Sequence, residues 1–260
     1  MKTLFKKILT PDFISKIRSV FPSSVQKELN KKEIQEIKRR GSFYTSFIQK
    51  GELCFDVGAN VGNRIGPLLY IGAKVVAVEP QEVCYSYLKK KFKNKIKIIT
   101  KGVGESEGIK EFHLSSGSPM SSFSKEWIDS VKDGRFKDYT WEKVVSTKMT
   151  TLDKLIEEFG VPAFIKIDVE GYELEVLKGL SKPVKMISFE YTLPEQIQKP
   201  VMCIKQIERY NPNIECNYSL GESMEFAKDK WISADDMIKY MVTDEFINTG
   251  FGDVYVRTRL

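Results

Sequence analysis

An acidic residue followed by a glycine-containing turn is the first feature of the sequence that could do chemistry. Asp56 lies in a short apolar run, and Gly58, Asn60 and Gly62 follow that run before a helical pattern begins. Glycines let a backbone approach a ligand closely, and the N-terminus of a helix offers free N–H groups. The pattern predicts that a nucleotide-like ligand binds at this turn.

The residue at the middle of the turn narrows the type of ligand. A dinucleotide fingerprint is Gly-x-Gly-x-x-Gly, and here Asn60 takes the place of the glycine that admits a pyrophosphate. S-adenosylmethionine has no phosphate. It presents a carboxylate, an ammonium group and a sulfonium cation, so Asp56 would have positive charge to balance. The turn therefore favours S-adenosylmethionine over NAD.

A second acidic residue strengthens this prediction. Glu79 ends the next apolar run, 21 residues after Gly58, and Pro80 follows it. This is the spacing at which an acidic side chain receives ribose hydroxyls. If Asp56 and the glycines only shaped a turn, that spacing would be a coincidence. A third contact region, which would hold the adenine, is expected at Gly102, Val103 and Glu105.

Candidate catalytic residues lie at the ends of two later apolar runs. Lys166 and Asp168 end one run, and Glu190 follows the next. An extended chain would place Lys166, Asp168 and Glu170 on one face, and a lysine in an apolar strand is costly unless paired, so a Lys166–Asp168 contact is expected. Asp168 or Glu190 could take the proton of a hydroxyl acceptor during methyl transfer. The alternatives are a structural charge cluster and, for Glu190, a surface carboxylate.

Other kinds of site have less support in the sequence. His113, the single histidine, could act as a base or could be incidental. The four cysteines form no Cys-x-x-Cys pair, which argues against a zinc site and a disulfide framework and fits a reducing, cytoplasmic setting. The carboxylates follow no metal-ligand pattern, and we predict no metal.

Short apolar runs alternate with helical stretches from residue 51 onward and must position these residues. Each run ends in glycine, proline or a carboxylate, which is typical of a parallel sheet with crossover helices. The predicted fold class is α/β, a three-layer Rossmann-like fold whose last strand, 253–257, is antiparallel. The other predicted strands are 53–57, 74–78, 96–99, 163–167 and 186–189. The predicted helices are 63–70, 83–92, 151–159 and 173–180.

From about residue 51 to its C-terminus the chain resembles the FkbM family of S-adenosylmethionine-dependent methyltransferases. The motifs that carry the resemblance are Phe-Asp-Val-Gly-Ala-Asn-Val-Gly at 55–62, Val-Glu-Pro at 78–80, Thr-Leu-Asp at 151–153, Ile-Lys-Ile-Asp-Val-Glu-Gly-Tyr-Glu at 165–173 and Gly-Asp-Val-Tyr at 252–255. The resemblance implies a seven-stranded sheet, S-adenosylmethionine at its C-terminal edge, and methyl transfer to a hydroxyl of a saccharide or small metabolite. It leaves the acceptor open.

The length and the distribution of charge suggest how the chain is divided. Its 260 residues suit one methyltransferase domain, 51–260, with an insertion at 108–150 that could cover the acceptor. Residues 1–50 hold 12 of the 41 basic residues against 4 of the 35 acidic ones, and we expect a basic helical extension packed on the core. A predicted amphipathic helix within 10–22 could instead make peripheral contact with a membrane through residues 1–22.

Two other functions compete with methyl transfer. One is an NAD-dependent Rossmann oxidoreductase, which Asn60 disfavours. The other is a non-catalytic cofactor-binding module that docks through its basic N-terminus, which the intact residues of the turn disfavour. The lysine cluster at 89–97 is typical of a solvated face, and no flipped-base motif accompanies it, so nucleic acid is not an expected partner. The oligomeric state stays open.

Overall fold

The structure is a computed structural model that describes residues 23–117 and 120–259. The predicted helix within 10–22 and the membrane contact of residues 1–22 lie outside the described residues. Among the residues that are described, no helix is long and apolar enough to cross a membrane.

Strands and helices alternate along most of the described chain. The strands are β1 Leu53–Val57, β2 Lys74–Val78, β3 Lys97–Ile99, β4 Gly102–Val103, β5 Gly108–Leu114, β6 Lys143–Thr150, β7 Phe164–Ile167, β8 Met186–Thr192, β9 Ile214–Leu220, β10 Ile232–Ser233 and β11 Phe251–Thr258. The α-helices are α1 Ser23–Tyr44, α2 Ile65–Tyr70, α3 Glu82–Phe92, α4 Lys125–Val131, α5 Leu152–Phe159, α6 Glu173–Lys178, α7 Gln198–Glu208, α8 Ala234–Met241 and α9 Asp244–Ile247.

The main sheet has the strand order β3-β2-β1-β7-β8-β11-β9-β10. Strands β3, β2, β1, β7 and β8 run parallel to one another, whereas β11 is antiparallel to both β8 and β9. The predicted α/β class, with its parallel sheet and antiparallel last strand, is confirmed. Among the described residues this sheet has eight strands, one more than the seven that the family resemblance implied, because the two-residue β10 pairs with the edge of β9.

Apolar side chains cover both faces of this sheet, which is why its central strands read as continuous apolar runs. Phe55 on β1 packs toward α5, α6 and α7, while its neighbour Cys54 packs on the opposite face toward α1 and α2. Successive residues of a strand point to opposite faces, so one strand contributes to both apolar layers. The result is the predicted arrangement of three layers.

The predicted elements differ from the observed ones mainly at their ends. Strand β8 continues through Glu190 to Thr192, because β11 pairs with it and places Asp253 opposite Glu190. Glu190 therefore lies inside a strand and does not follow one. Helix α1 runs through Gly41 without a break. A β-carbon at Gly41 would lie 2.8 Å from Tyr70 Cδ1, so the glycine allows α1 to pack closely on α2.

The segment 108–150 builds most of a second, smaller sheet in the order β4-β6-β5. Strands β5 and β6 pair antiparallel along their lengths, and α4 lies between them in sequence. Phe112 of β5 belongs to the same apolar cluster as Val57 and Val78 of the main sheet. The insertion thus packs beside the C-terminal ends of β1 and β2. The division of the chain into an extension and a domain stays a prediction.

Candidate active site

A cavity opens at the C-terminal edge of β1, β2 and β7, where carboxyl ends of parallel strands meet. Its volume is about 510 Å³, including solvent at its mouth. Main-sheet turns and the insertion both contribute side chains to its wall. The lining residues are Val57, Gly58, Asn60, Val78, Glu79, Pro80, Gln81, Lys101, Val103, Phe112, Ser121, Phe123, Asp168, Val169 and Glu170.

The turn after β1 brings the backbone against the turn after β7. Gly58 has a φ of 84°, and a β-carbon there would lie 1.8 Å from the Asp168 carbonyl oxygen. Asn60 also takes a left-handed conformation, with a φ of 45°. Its side-chain oxygen accepts a hydrogen bond from Cys84 Sγ of α3 at 3.4 Å, which holds the amide against that helix. Gly58 therefore brings two turns of the protein together, and the close approach of this turn to a ligand stays a prediction.

Glu79 is held by two backbone N–H groups. Its Oε2 accepts from the Asn60 N–H and its Oε1 accepts from the Gln81 N–H, both at 2.8 Å. The side chain is buried, and burial raises its pKa to about 7, although the two N–H groups oppose that shift. Glu79 is thus fixed in orientation on the wall of the cavity, with a charge that changes near neutral pH.

Asp56 lies next to the cavity but does not line it. It stands beside Lys166 on the neighbouring strand β7, and its Oδ2 has no hydrogen-bond partner among the described residues. Burial raises the pKa of Asp56 to about 7, against the opposing charges of Lys166 and Arg64. An unsatisfied buried carboxylate favours a nearby cation, because leaving it alone in a low-dielectric site is costly. Direct contact between Asp56 and a cofactor stays a prediction.

A tight turn follows β7 and sets the direction of its acidic residues. Glu170 has a φ of 54° and Gly171 a φ of 85°, so the chain is not extended here, and the condition for Lys166, Asp168 and Glu170 to share one face is not met. The buried Glu173 holds the turn, since its Oε1 accepts the N–H groups of Val169 at 3.2 Å and of Gly171 at 3.1 Å. The turn keeps Asp168 and Glu170 on the cavity wall.

Lys166 forms the predicted contact with Asp168 and another that the sequence did not reveal. Its Nζ lies 3.3 Å from Asp168 Oδ2 and 2.8 Å from Asp253 Oδ1, and only 1% of its side chain is exposed. Burial alone would lower the pKa of Lys166, but the charges of Asp168 and Asp253 outweigh it, and the pKa is raised. Lys166 is therefore a charged ammonium beneath the cavity, not a lining residue.

Three carboxylates come together beside this lysine. Oxygens of Asp168, Glu170 and Glu190 all lie within 4.8 Å of one another. Burial and the charges of Asp168 and Glu170 raise the pKa of Glu190 well above its ordinary value. A proton on Glu190 relieves the repulsion within the cluster, and carboxylate oxygens at such distances could also hold a divalent cation. Glu190 therefore lies beside Asp168 at this edge of the sheet.

The insertion supplies part of the wall that sequence reasoning missed. The Phe112 and Phe123 rings lie 4.4 Å apart, centroid to centroid, and both line the cavity together with Ser121. Ser122 Oγ donates to the Glu170 carbonyl at 2.7 Å, which ties the insertion to the turn after β7. Neither Phe112 nor Phe123 was among the predicted site residues.

Some predicted residues lie away from the cavity wall. A β-carbon at Gly62 would meet Phe92 and Leu88 of α3, so this glycine serves close packing. Gly102 lies under Phe123 in the same way, and Glu105 is exposed. His113 lines a separate surface groove with residues of α4. Cofactor contacts of Gly62, Gly102 and Glu105 stay predictions, whereas Pro80 and Val103 do line the cavity.

Fold and site together define a Rossmann-like α/β protein with a ligand cavity at the C-terminal edge of a parallel sheet. The chain belongs to the family described as the methyltransferase FkbM domain, whose model matches residues 56–246. That match covers most of the chain and includes Asp56, Glu79, Asp168 and Glu190. The resemblance drawn from the motifs is confirmed.

The chain also resembles individual proteins, at 8–30% sequence identity. Hexuronic acid methyltransferase AglP of Haloferax volcanii is 30% identical over 146 residues, which are 54% of this chain and 55% of the relative, so the match spans about half of each. A precorrin-6y C5,15-methyltransferase structure from Geobacter metallireducens is 8% identical, with a TM-score of 0.43 over 85% of this chain and 87% of that one. A TehB-like SAM-dependent methyltransferase from Corynebacterium glutamicum is 10% identical, with the same score and coverage.

Proposed function

We propose that the chain transfers a methyl group from S-adenosylmethionine to a hydroxyl oxygen of a saccharide or small metabolite. The observation that carries this proposal is that Glu79, at the end of β2, and Asp168, after β7, line one cavity. The first would receive the ribose of a cofactor, and the second would meet an acceptor. Membership of a methyltransferase family supports the same chemistry.

The residues of the cavity fit S-adenosylmethionine better than a dinucleotide. Glu79 is buried and oriented to accept hydrogen bonds from hydroxyls, and Asn60 stands where a dinucleotide fingerprint has a glycine. The rings of Phe112 and Phe123, with Val103, would enclose the adenine. Asp56, buried beside the cavity, would supply negative charge to balance the sulfonium. When bound, the cofactor supplies an electrophilic methyl group on a good leaving group.

The protein's own task is to align the acceptor, exclude water and move one proton. Transfer between aligned groups gains mainly from positioning. Asp168 would accept the hydroxyl proton as the new bond forms, and Lys166 beneath it would hold the carboxylate in place. The insertion, tied to Glu170 through Ser122, would shield the reacting groups from water.

The charge at the cavity favours a hydroxyl over a carboxylate as the acceptor. Asp168 and Glu170 line the wall and Glu190 lies beside them. A carboxylate acceptor would add negative charge to this acidic cluster, and like charges at such distances repel. We therefore place the methyl group on a neutral hydroxyl, even though the relative from Haloferax volcanii is named for hexuronic acid.

A screen with methyl-labelled S-adenosylmethionine tests the proposal. Neutral sugars, uronic acids and small alcohols would be incubated with the wild type and with Asp168→Asn, and products scored by mass gain. We expect label on a neutral hydroxylated acceptor and a loss of about 100-fold or more in Asp168→Asn, which lacks the base. Transfer to a carboxylate alone, or equal rates in the two proteins, would contradict it.

A further inference from the structure

We propose that Asp253 is a positioning residue for methyl transfer, acting on Asp168 through Lys166. The inference rests on the proposed function, in which Asp168 meets the acceptor. Asp253 belongs to the Gly-Asp-Val-Tyr motif at 252–255, for which the cavity itself gives no role, because none of these residues lines it. Its side chain instead reaches the ammonium that lies beneath the cavity.

Asp253 is the nearer of the two carboxylates that hold this ammonium. Lys166 Nζ lies 2.8 Å from Asp253 Oδ1 and 3.3 Å from Asp168 Oδ2. Lys166 and Asp253 are almost fully buried, whereas about a third of the Asp168 side chain is exposed. A buried ammonium stays where its buried partner fixes it. The position of Lys166, and with it the orientation of Asp168, is therefore set by Asp253.

Asp253 is itself held from the opposite side. Its Oδ2 lies 3.6 Å from Arg64, which lies 3.5 Å from Glu222, and Glu222 lies 2.8 Å from Arg40 of α1. Positive and negative groups thus alternate over six residues, which we call the ion-pair series. In order from α1 to the cavity, its members are Arg40, Glu222, Arg64, Asp253, Lys166 and Asp168.

The other residues of the motif fix the strand that carries Asp253. A β-carbon at Gly252 would lie 2.0 Å from the Ser219 carbonyl oxygen, so only glycine lets β11 run this close to β9. Tyr255 packs on α1, with its ring 5.5 Å from that of Phe43. A shift of β11 by one residue would turn every side chain to the other face. Glycine and tyrosine therefore hold the register that aims Asp253 at Lys166.

Loss of the Asp253 charge has a definite consequence for the cavity. Asp168 would then become the carboxylate nearest to Lys166, and the two would draw together, away from the acceptor. Small displacements of a reacting group have large effects, about 100-fold in rate for roughly 1 Å. Binding of the cofactor, which depends on the turns after β1 and β2, would change little. The expected signature is a loss of turnover without a loss of affinity.

The test compares Asp253→Asn with Arg257→Gln in the full chain. Arg257 lies on the same strand, and its pair with Glu215 is remote from the ion-pair series, so it is a matched control. We expect Asp253→Asn to lower kcat by about 10- to 100-fold while the Kd and KM for S-adenosylmethionine stay within about threefold. Arg257→Gln should match the wild type. A folded Asp253→Asn protein with wild-type kcat would overturn the proposal.

A second measurement needs no turnover. Asp168→Asn, Asp253→Asn and the double variant would be unfolded in urea, because only the double variant removes both carboxylates that pair with the buried Lys166. We expect its loss of stability to exceed the sum of the single losses, and simple additivity would overturn the series.

If Asp253→Asn does not fold, Arg40→Gln at the far end of the series replaces it, and an unchanged kcat there would overturn the proposal. A wild type that methylates no acceptor contradicts the proposed function alone.

Discussion

Gly58 and Asp168 are in direct backbone contact, so close that a β-carbon on Gly58 would lie 1.8 Å from the Asp168 carbonyl oxygen. One residue belongs to the turn that would hold the cofactor and the other to the turn that would meet the acceptor. The contact makes the two halves of the cavity a single structural unit. It also explains why glycine stands at this position, since both its left-handed φ of 84° and the contact exclude a side chain.

Replacing Gly58 with alanine is expected to damage binding and stability together. The new methyl group must push the turn after β7 away, and backbone strain of this kind costs about 1–3 kcal/mol. Thermal unfolding and calorimetric titration with S-adenosylmethionine would measure the two effects.

Gly51→Ala is the matched control for this variant. Gly51 has a similar φ of 87°, but a β-carbon there would have no neighbouring atom within 4 Å, so it shares the conformational cost without the clash. We expect a smaller loss of stability and an unchanged affinity. If Gly58→Ala behaves like Gly51→Ala, the contact with Asp168 has no importance for the site.

Affinity for S-adenosylmethionine should depend on pH through Glu79. Burial raises the pKa of Glu79 to about 7, and a carboxylate accepts hydrogen bonds from hydroxyls better than a carboxylic acid does, so affinity should rise as pH increases through 7 and then level off. Glu79→Gln should weaken binding by about 10- to 100-fold and flatten that rise, because hydrogen bonds to charged groups contribute about 1.5–3 kcal/mol. Exposed Glu82→Gln, at the start of α3, serves as the control. If Glu79→Gln keeps the wild-type pH profile, a group other than Glu79 causes the pH dependence of the affinity.

The stability of the ligand-free protein should fall as pH rises toward neutrality. Asp56, Glu79 and Glu173 each have a pKa raised to about 7 by burial, from ordinary values of 3.8 for Asp and 4.5 for Glu. The folded state therefore binds more protons than the unfolded state between those values. The contribution of these three groups to the free energy of unfolding is fully present below their ordinary pKa values, and it is lost as pH rises through about 7. Urea unfolding at two pH values, about 5.5 and about 7.5, would measure this, and greater stability at the higher pH would contradict it.

Removal of divalent cations is expected to leave methyl transfer unchanged. The Asp168, Glu170 and Glu190 oxygens are near enough to share a cation, but Lys166 already offsets one charge and the raised pKa of Glu190 allows a proton to offset another. Turnover would be compared before and after dialysis against a chelator. A loss of activity that magnesium restores would show that the cluster is a metal site.

Local sequence signals were sufficient for most of the sheet and for the wall built from it. Central strands are buried on both faces, so apolar runs marked β1, β2 and β7 within one residue of their ends. The residues that end these strands could therefore be assigned to one edge. Pairing of β11 with β8 is a contact between distant segments, and for that reason no local pattern indicated that β8 extends through Glu190.

The parts of the site that depend on tertiary contacts were not predictable in the same way. Lys166 needed a partner, and the sequence offered Asp168 two residues away, but Asp253 reaches it from a strand 87 residues further along. Phe123 comes to the cavity from the insertion, which has no periodic pattern there. Long-range pairs of this kind leave no spacing that can be read along the chain.

Titration of the full-length chain with S-adenosylmethionine and, separately, with NAD tests the central claim most directly. The cavity should bind S-adenosylmethionine saturably with one site per chain, because buried Glu79 would receive its ribose and Asn60 stands where a dinucleotide fingerprint has a glycine. Binding of NAD should be absent or far weaker. Saturable binding of NAD without binding of S-adenosylmethionine would contradict the account.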